Sequence, residues 1–271
     1  MSRSILDYFD VSLDFFTQVV LNNPSLRGMI LGYIAEAKLK EALMGHGRGS
    51  AFRKDDDHDR KKKGDLVVTY EGFEFKIEVK SLQTNTVEML PPGGEWVRKV
   101  IKQKGPGQPN PPYLPLWEKH RFDAKFRGQF QCDASDRRKV NFPDGSSVET
   151  TNLLFGEFHI LAAGIFTFRE KWDFGFALNR DLPASTNSDY TEYQRQRLIT
   201  SMIPITWPLQ SPFVSDIYVL LDKLVTEEKA KKEDRLAGRE TVVVEQPPAK
   251  TSDVVEEPQV KVVERKRKKK S

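Results

Sequence analysis

Glu78 and Lys80 stand two residues apart, so on an extended strand they share one face. Asp65 and Glu78 have twelve residues between them, and Asp65 stands just after Gly64 at the mouth of an apolar run, where no strand face needs its charge for solubility. If the intervening chain folds back on itself, the end of its second arm returns beside Asp65. Two carboxylates and one ammonium then converge within a few ångströms. That set suits a hard divalent cation and a water activated on it.

The chain between these residues has the pattern needed to fold back. Leu66 to Tyr70 is β-branched and aromatic, and Glu71-Gly72 is a two-residue connection whose glycine can take positive φ. Phe73 to Lys80 alternates without a break. Phe73, Phe75, Ile77 and Val79 fall on one face, and Glu74, Lys76, Glu78 and Lys80 on the other. The plain expectation is a hairpin with one buried and one solvated face.

A further carboxylate comes from an earlier segment. Ser25 is a candidate N-cap for a helix running to about Met44 and closed by Gly45, with Met29, Ile30, Tyr33, Ile34, Ala37 and Leu43 as its apolar stripe. Glu36 lies along or beside that stripe. Buried there, it needs a metal, a lysine or a backbone donor as partner. Turned to the edge, it pairs with Lys40 at i+4.

Around this core the chain reads as follows. Residues 4–22 carry apolar side chains spaced by three and four, predicting one amphipathic helix that packs on the core and ends at Asn22-Asn23-Pro24. His46 to Lys63 is a charged loop whose Lys61, Lys62 and Lys63 can reach a phosphate backbone beside Asp65. Its Asp-rich stretch lacks the ligand spacing of an EF-hand. Residues 82–127 form an insertion rich in Pro, Gly and Lys, expected to be without regular structure. There Trp96, Tyr113, Trp117 and Phe122 interleave with Arg98, Lys99, Lys102, Lys104, Lys119 and Arg121. Such a mixture suits backbone contact with base stacking, or equally an excursion pinned down by its aromatics.

Strand signals resume at 128–135, 153–168 and 172–178, and the uninterrupted apolar run from Phe158 to Phe168 reads as a central strand covered on both faces. Arg137, Arg138 and Lys139 fall in a loop between two such segments. Helices are predicted over 189–202 and from Ser215 to about Lys232. From about Lys229 aromatics vanish, which predicts a disordered charged tail over 229–271.

Composition limits the classes. With one cysteine, Cys132, the chain can form no internal disulfide and no cysteine-based zinc cage, which suits a reducing, cytoplasmic setting. No run of 18 apolar residues occurs, so no membrane segment is expected. Residues 261–271 hold seven Lys or Arg and one Glu, leaving a net −2 of the overall +4 for the rest. Attraction to nucleic acid must therefore come from local clusters and the tail.

A helix Glu, then Asp65, then Glu78-Val79-Lys80, in that order and on those elements, resembles the PD-(D/E)XK nuclease superfamily. Gly64 stands where its signature has Pro. The resemblance covers roughly residues 25–81. It implies an α/β fold of restriction-endonuclease type, a mixed central β-sheet flanked by helices. The loop-rich insertion 82–127 and further strands and helices over 128–228 would then complete a domain spanning 1–228. It also implies Mg2+ held by Asp65, Glu78 and the Val79 carbonyl, with Lys80 orienting the attacking water and Glu36 supporting a metal-bound water. Lys61, Lys62, Lys63, Arg98, Lys99, Arg137, Arg138 and Lys139 are candidate phosphate contacts. The implied activity is Mg2+-dependent endonucleolytic cleavage of double-stranded DNA, of type II restriction kind, by an enzyme that in this class is often a homodimer. A structure-specific or repair nuclease, or a non-catalytic nucleic-acid-binding protein on the same fold, are the alternatives.

Overall fold

The computed structural model describes residues 3–45, 47, 51–53, 65–83, 86–98 and 123–236. Its first elements are α1 (Ile5–Phe9), α2 (Leu13–Asn22) and α3 (Pro24–Gly45). The single helix expected over 4–22 is two. Asp10 takes a left-handed conformation (φ 54°) and closes α1, and the Ser12 side chain caps α2 by accepting from the Phe15 N–H. Neither helix buries a residue, so the expected packing on the core is absent. In α3 the helix already begins at Pro24, a residue suited to a first turn that lacks N–H partners, so Ser25 is not its cap.

A five-stranded sheet forms the centre, built from β1 (Ala51–Arg53), β2 (Leu66–Tyr70), β3 (Phe73–Ser81), β9 (Ile160–Gly164) and β10 (Phe174–Leu178), in the order β1-β2-β3-β9-β10. The expected hairpin is β2–β3, with Glu71 (φ 48°) and Gly72 (φ 82°) both at positive φ in the turn. All pairings are antiparallel except β3 with β9. The sheet is therefore mixed, and β9, wholly buried, is the central strand anticipated from the 158–168 run.

The two long helices cover one face. Ala35, Leu39 and Leu43 of α3 join Val68, Phe75, Ile77, Val79 and Ala162 in one core. The same core includes Ile217, Leu221 and Val225 of α6 (Ile217–Leu236), and the Tyr218 hydroxyl donates to the Leu43 carbonyl at 3.3 Å. Met29, Tyr33 and Ile34, expected to lie inward, are exposed. α3 has a second apolar stripe, and the one containing Ala35 and Leu39 faces the sheet.

The opposite face is covered by a second sheet. Its strands are β4 (Glu88–Leu90), β5 (Val97–Arg98), β6 (Lys125–Gln131) and β11 (Met202–Trp207), in the order β11-β6-β4-β5. Phe126, Phe130 and Ile203 pack there with Leu161 and Ala163 of β9. The insertion thus carries β4 and β5 rather than being structureless throughout, and Ala51–Arg53 is a strand inside the expected loop. β7 (Asp133–Asn141) and β8 (Ser147–Asn152) form a separate hairpin. The helix expected over 189–202 shrinks to α5 (Glu192–Arg195), because the following residues Leu198 and Ile199 are taken up in bridges to Leu154 and Ala184. A four-residue helix, α4 (Phe166–Arg169), links β9 to β10. α6 runs on to Leu236, past the change of composition near Lys229. No helix among the described residues is long and apolar enough to cross a membrane.

Candidate functional site

The hairpin register places Asp65 opposite Glu78, one step beyond the Leu66–Ile77 pair. Asp65 Oδ2 accepts a hydrogen bond of 2.7 Å from the Val79 N–H, which ties the carboxylate to the end of β3. An extended residue turns its N–H and carbonyl toward the same neighbour, so the Val79 carbonyl faces the Asp65 side as well. Lys80 Nζ lies 2.7 Å from Glu78 Oε1, with side-chain exposures of 19% and 10%.

The side chains of Asp65, Glu78 and Lys80 lie on the face opposite the helices and opposite Val79, beneath the second sheet. The expected solvated face of β3 is therefore solvated only near the turn, where Glu74 is exposed; at the far end Glu78 is buried. The period-two pattern reports that two faces differ, and it does not report what stacks on either.

Burial and charge set the protonation behaviour. Burial, and then the negative charge of Glu78, push the Asp65 carboxyl up to about 7. Lys80 and the Val79 N–H pull it back, and Glu36 raises it least. Burial alone would release the Lys80 proton, but the Glu78 and Asp65 carboxylates outweigh it and hold the ammonium above its ordinary range. Glu36, on α3, has its Oε2 buried and adds to the negative charge felt by Asp65.

The donor set fits Mg2+. Two carboxylates and one backbone carbonyl are hard oxygen donors, and the mutual repulsion of Asp65 and Glu78 is what a cation relieves. No three His, Cys, Asp or Glu residues among those described cluster tightly enough to cage a metal. Mg2+ keeps several waters and is commonly held by one or two carboxylates, so a caged site is not what it needs.

The remaining candidates scatter. Arg138 lies in β7, not in a loop, and its guanidinium is ion-paired with Glu157 at 2.6 Å with both side chains largely buried. Its charge is committed inside the protein, which removes it as a phosphate contact. Arg137 and Lys139 flank it on the same strand and are exposed. Arg98 is in β5, and Lys61, Lys62, Lys63 and Lys99 lie outside the described residues.

Cys132 is a neighbour that sequence reasoning assigned no place near the site. Burial pushes its thiol up to about 12, while the charge of Lys80 pulls it down and that of Glu78 raises it, so the thiol lies within the field of the pair. The signal was present in β6, where Phe126, Gly128, Phe130 and then Cys132 alternate inward. Neither a protein-family model, nor a curated protein, nor a solved structure matches this chain.

Proposed function

We propose that this chain is a Mg2+-dependent endonuclease hydrolysing phosphodiester bonds in double-stranded DNA, with a restriction-endonuclease-like core. The observation that carries the reading is the end of the β2–β3 hairpin, where Asp65 faces Glu78 and Lys80 Nζ stands 2.7 Å from Glu78 Oε1. Asp65, Glu78 and the Val79 carbonyl would hold the ion. Bound there, Mg2+ supplies Lewis-acid stabilisation of a phosphate oxygen and lowers the pKa of a coordinated water. Lys80, kept protonated by its two carboxylate neighbours, orients the attacking water and offsets charge on the phosphate. Asp65, whose carboxyl titrates near 7, must give up its proton before it can act as a ligand. The exposed Arg137 and Lys139 are free of that cluster and suit backbone phosphates. The second sheet, three of whose four strands fall between β3 and β9 in the chain, supplies a surface for sequence recognition beside the hairpin.

The test is incubation of purified protein with defined plasmid DNA and Mg2+, with EDTA as control. Discrete fragments support restriction-type cleavage, smearing or nicking supports a structure-specific or repair nuclease, and binding without cleavage supports a non-catalytic protein. Glu78→Gln and Lys80→Met should each abolish cleavage. Lys80→Met leaves the buried carboxylates without their cation, at a cost of about 3–5 kcal/mol, whereas Glu78→Gln leaves Lys80 with Asp65 and should cost less. The double variant removes both charges and should recover stability without recovering cleavage. Full cleavage in the double variant would place the active site elsewhere.

A further inference from the structure

The parallel join between β3 and β9 starts on a histidine side chain. His159, the residue before β9, donates its backbone N–H to the Lys76 carbonyl at 2.9 Å. A strand residue turns its N–H and carbonyl toward the same neighbour, so the Lys76 N–H also points to the β9 side. Its acceptor there is not a backbone carbonyl but the imidazole Nδ1 of His159, 2.9 Å away. A ring nitrogen that accepts a hydrogen bond carries no proton, so His159 is neutral here with its proton on Nε2. Phe75 meets the ring edge to face, with centroids 5.4 Å apart, and braces its orientation.

This bond lasts only while Nδ1 is unprotonated. A proton there sets two N–H donors against each other, and the ring must turn away, which leaves the Lys76 N–H unpaired. The ring is half-buried, so solvent protons reach it. The charges around it do little to stabilise an imidazolium. Lys76, on β3 itself, repels one; on α6, Glu228 attracts it and Lys231 opposes it, and those two are already paired with each other at 2.9 Å. Glu78 and Lys80 stand two and four residues further along the same strand, opposite Leu161 and Ala163. We propose that His159 is an acid-sensitive latch on the β3–β9 join: neutral, it closes the end of the parallel ladder, and protonated, it opens that end. The latch belongs to the fold, and it stands or fails independently of metal binding at Asp65 and Glu78.

Amide hydrogen exchange of the 15N-labelled full chain tests this, read by NMR from about pH 7.5 to about pH 5 and corrected for the intrinsic pH dependence of exchange. Protection of the Lys76 amide should fall at least about 10-fold toward the acid end, with the same midpoint as the titration of the His159 ring. Phe75 and Ile77, whose N–H groups face β2 by alternation, should keep theirs. His159→Asn offers a carbonyl oxygen near the place of Nδ1 and cannot titrate, so its Lys76 protection should stay flat across the range. A wild-type Lys76 amide whose protection does not change with pH overturns the proposal. So does a loss shared by Phe75 and Ile77, which is general loosening, and so does an equal loss in His159→Asn. If the variant shows no Lys76 protection at any pH, the wild type decides alone: different midpoints for the ring and the Lys76 amide reject the latch, and a shared midpoint upholds it.

Discussion

Ionising Asp65 places a second negative charge beside Glu78 in a site shielded from water. Its folded pKa of about 7 lies above the ordinary carboxyl value, so the folded state holds this proton more tightly than the unfolded chain. The stability it contributes is fully present below about pH 4 and is lost as pH rises through about 7. Asp65→Asn keeps an oxygen for the Val79 N–H and removes the charge. Without divalent ions it should melt several degrees above wild type at pH 8 and level with it at pH 4. Adding Mg2+ at pH 8 should raise the wild-type melting temperature and leave Asp65→Asn unmoved. Equal responses in scanning calorimetry would remove Asp65 from the proposed metal site. His159 opposes this trend. Burial and Lys76 hold its imidazole below the usual range, so its contribution is present above about pH 6.5 and fades as pH falls below that.

At the scale of elements, the hairpin was the most legible feature, since strict alternation over Phe73–Lys80 and a Glu-Gly connection allow little else. The turn itself can be tested. A Cβ at Gly72 would meet nothing within 4 Å, yet its φ is +82°, so any penalty is one of backbone conformation alone. Gly72→Val should cost about 1–2 kcal/mol in urea unfolding, with an unchanged denaturant slope. Periodicity misled at α3, where two apolar stripes compete and the richer one, with Met29 and Tyr33, points outward. The small residues decide that contest. Ala35 lets the helix approach so closely that a Cβ on Gly164 of β9 would lie 3.4 Å from its own. Large side chains on the other stripe cannot come that near. Arg138 was misplaced because a basic triplet resembles a solvated loop, and nothing near it in sequence announces Glu157 as its partner.

For the whole molecule, the sequence pointed to a mixed sheet with helices but not to their arrangement. Both long helices lie on one side and a second sheet on the other, and what stacks on a strand depends on segments far away in the chain. Charge, in contrast, was legible at this scale, because residues 261–271 alone exceed the net +4 of the chain. Deleting residues 240–271 should weaken binding to duplex DNA at low salt and flatten the dependence of log K on log salt, measured by fluorescence anisotropy. An unchanged slope would confine DNA contacts to the folded part.

The parallel ladder between β3 and β9 also sets an order of events during synthesis. Ile77 meets Ile160 only after three of the four strands of the second sheet have been made, whereas β2 and β3 can zip together as soon as Ser81 has left the ribosome. A nascent chain therefore passes through a stage with a paired hairpin whose charged end is still wet. Only when β9 docks and the covering layer closes does that end become dry enough for its charges to act on one another at full strength, so the cluster is electrostatically complete only once most of the polypeptide exists.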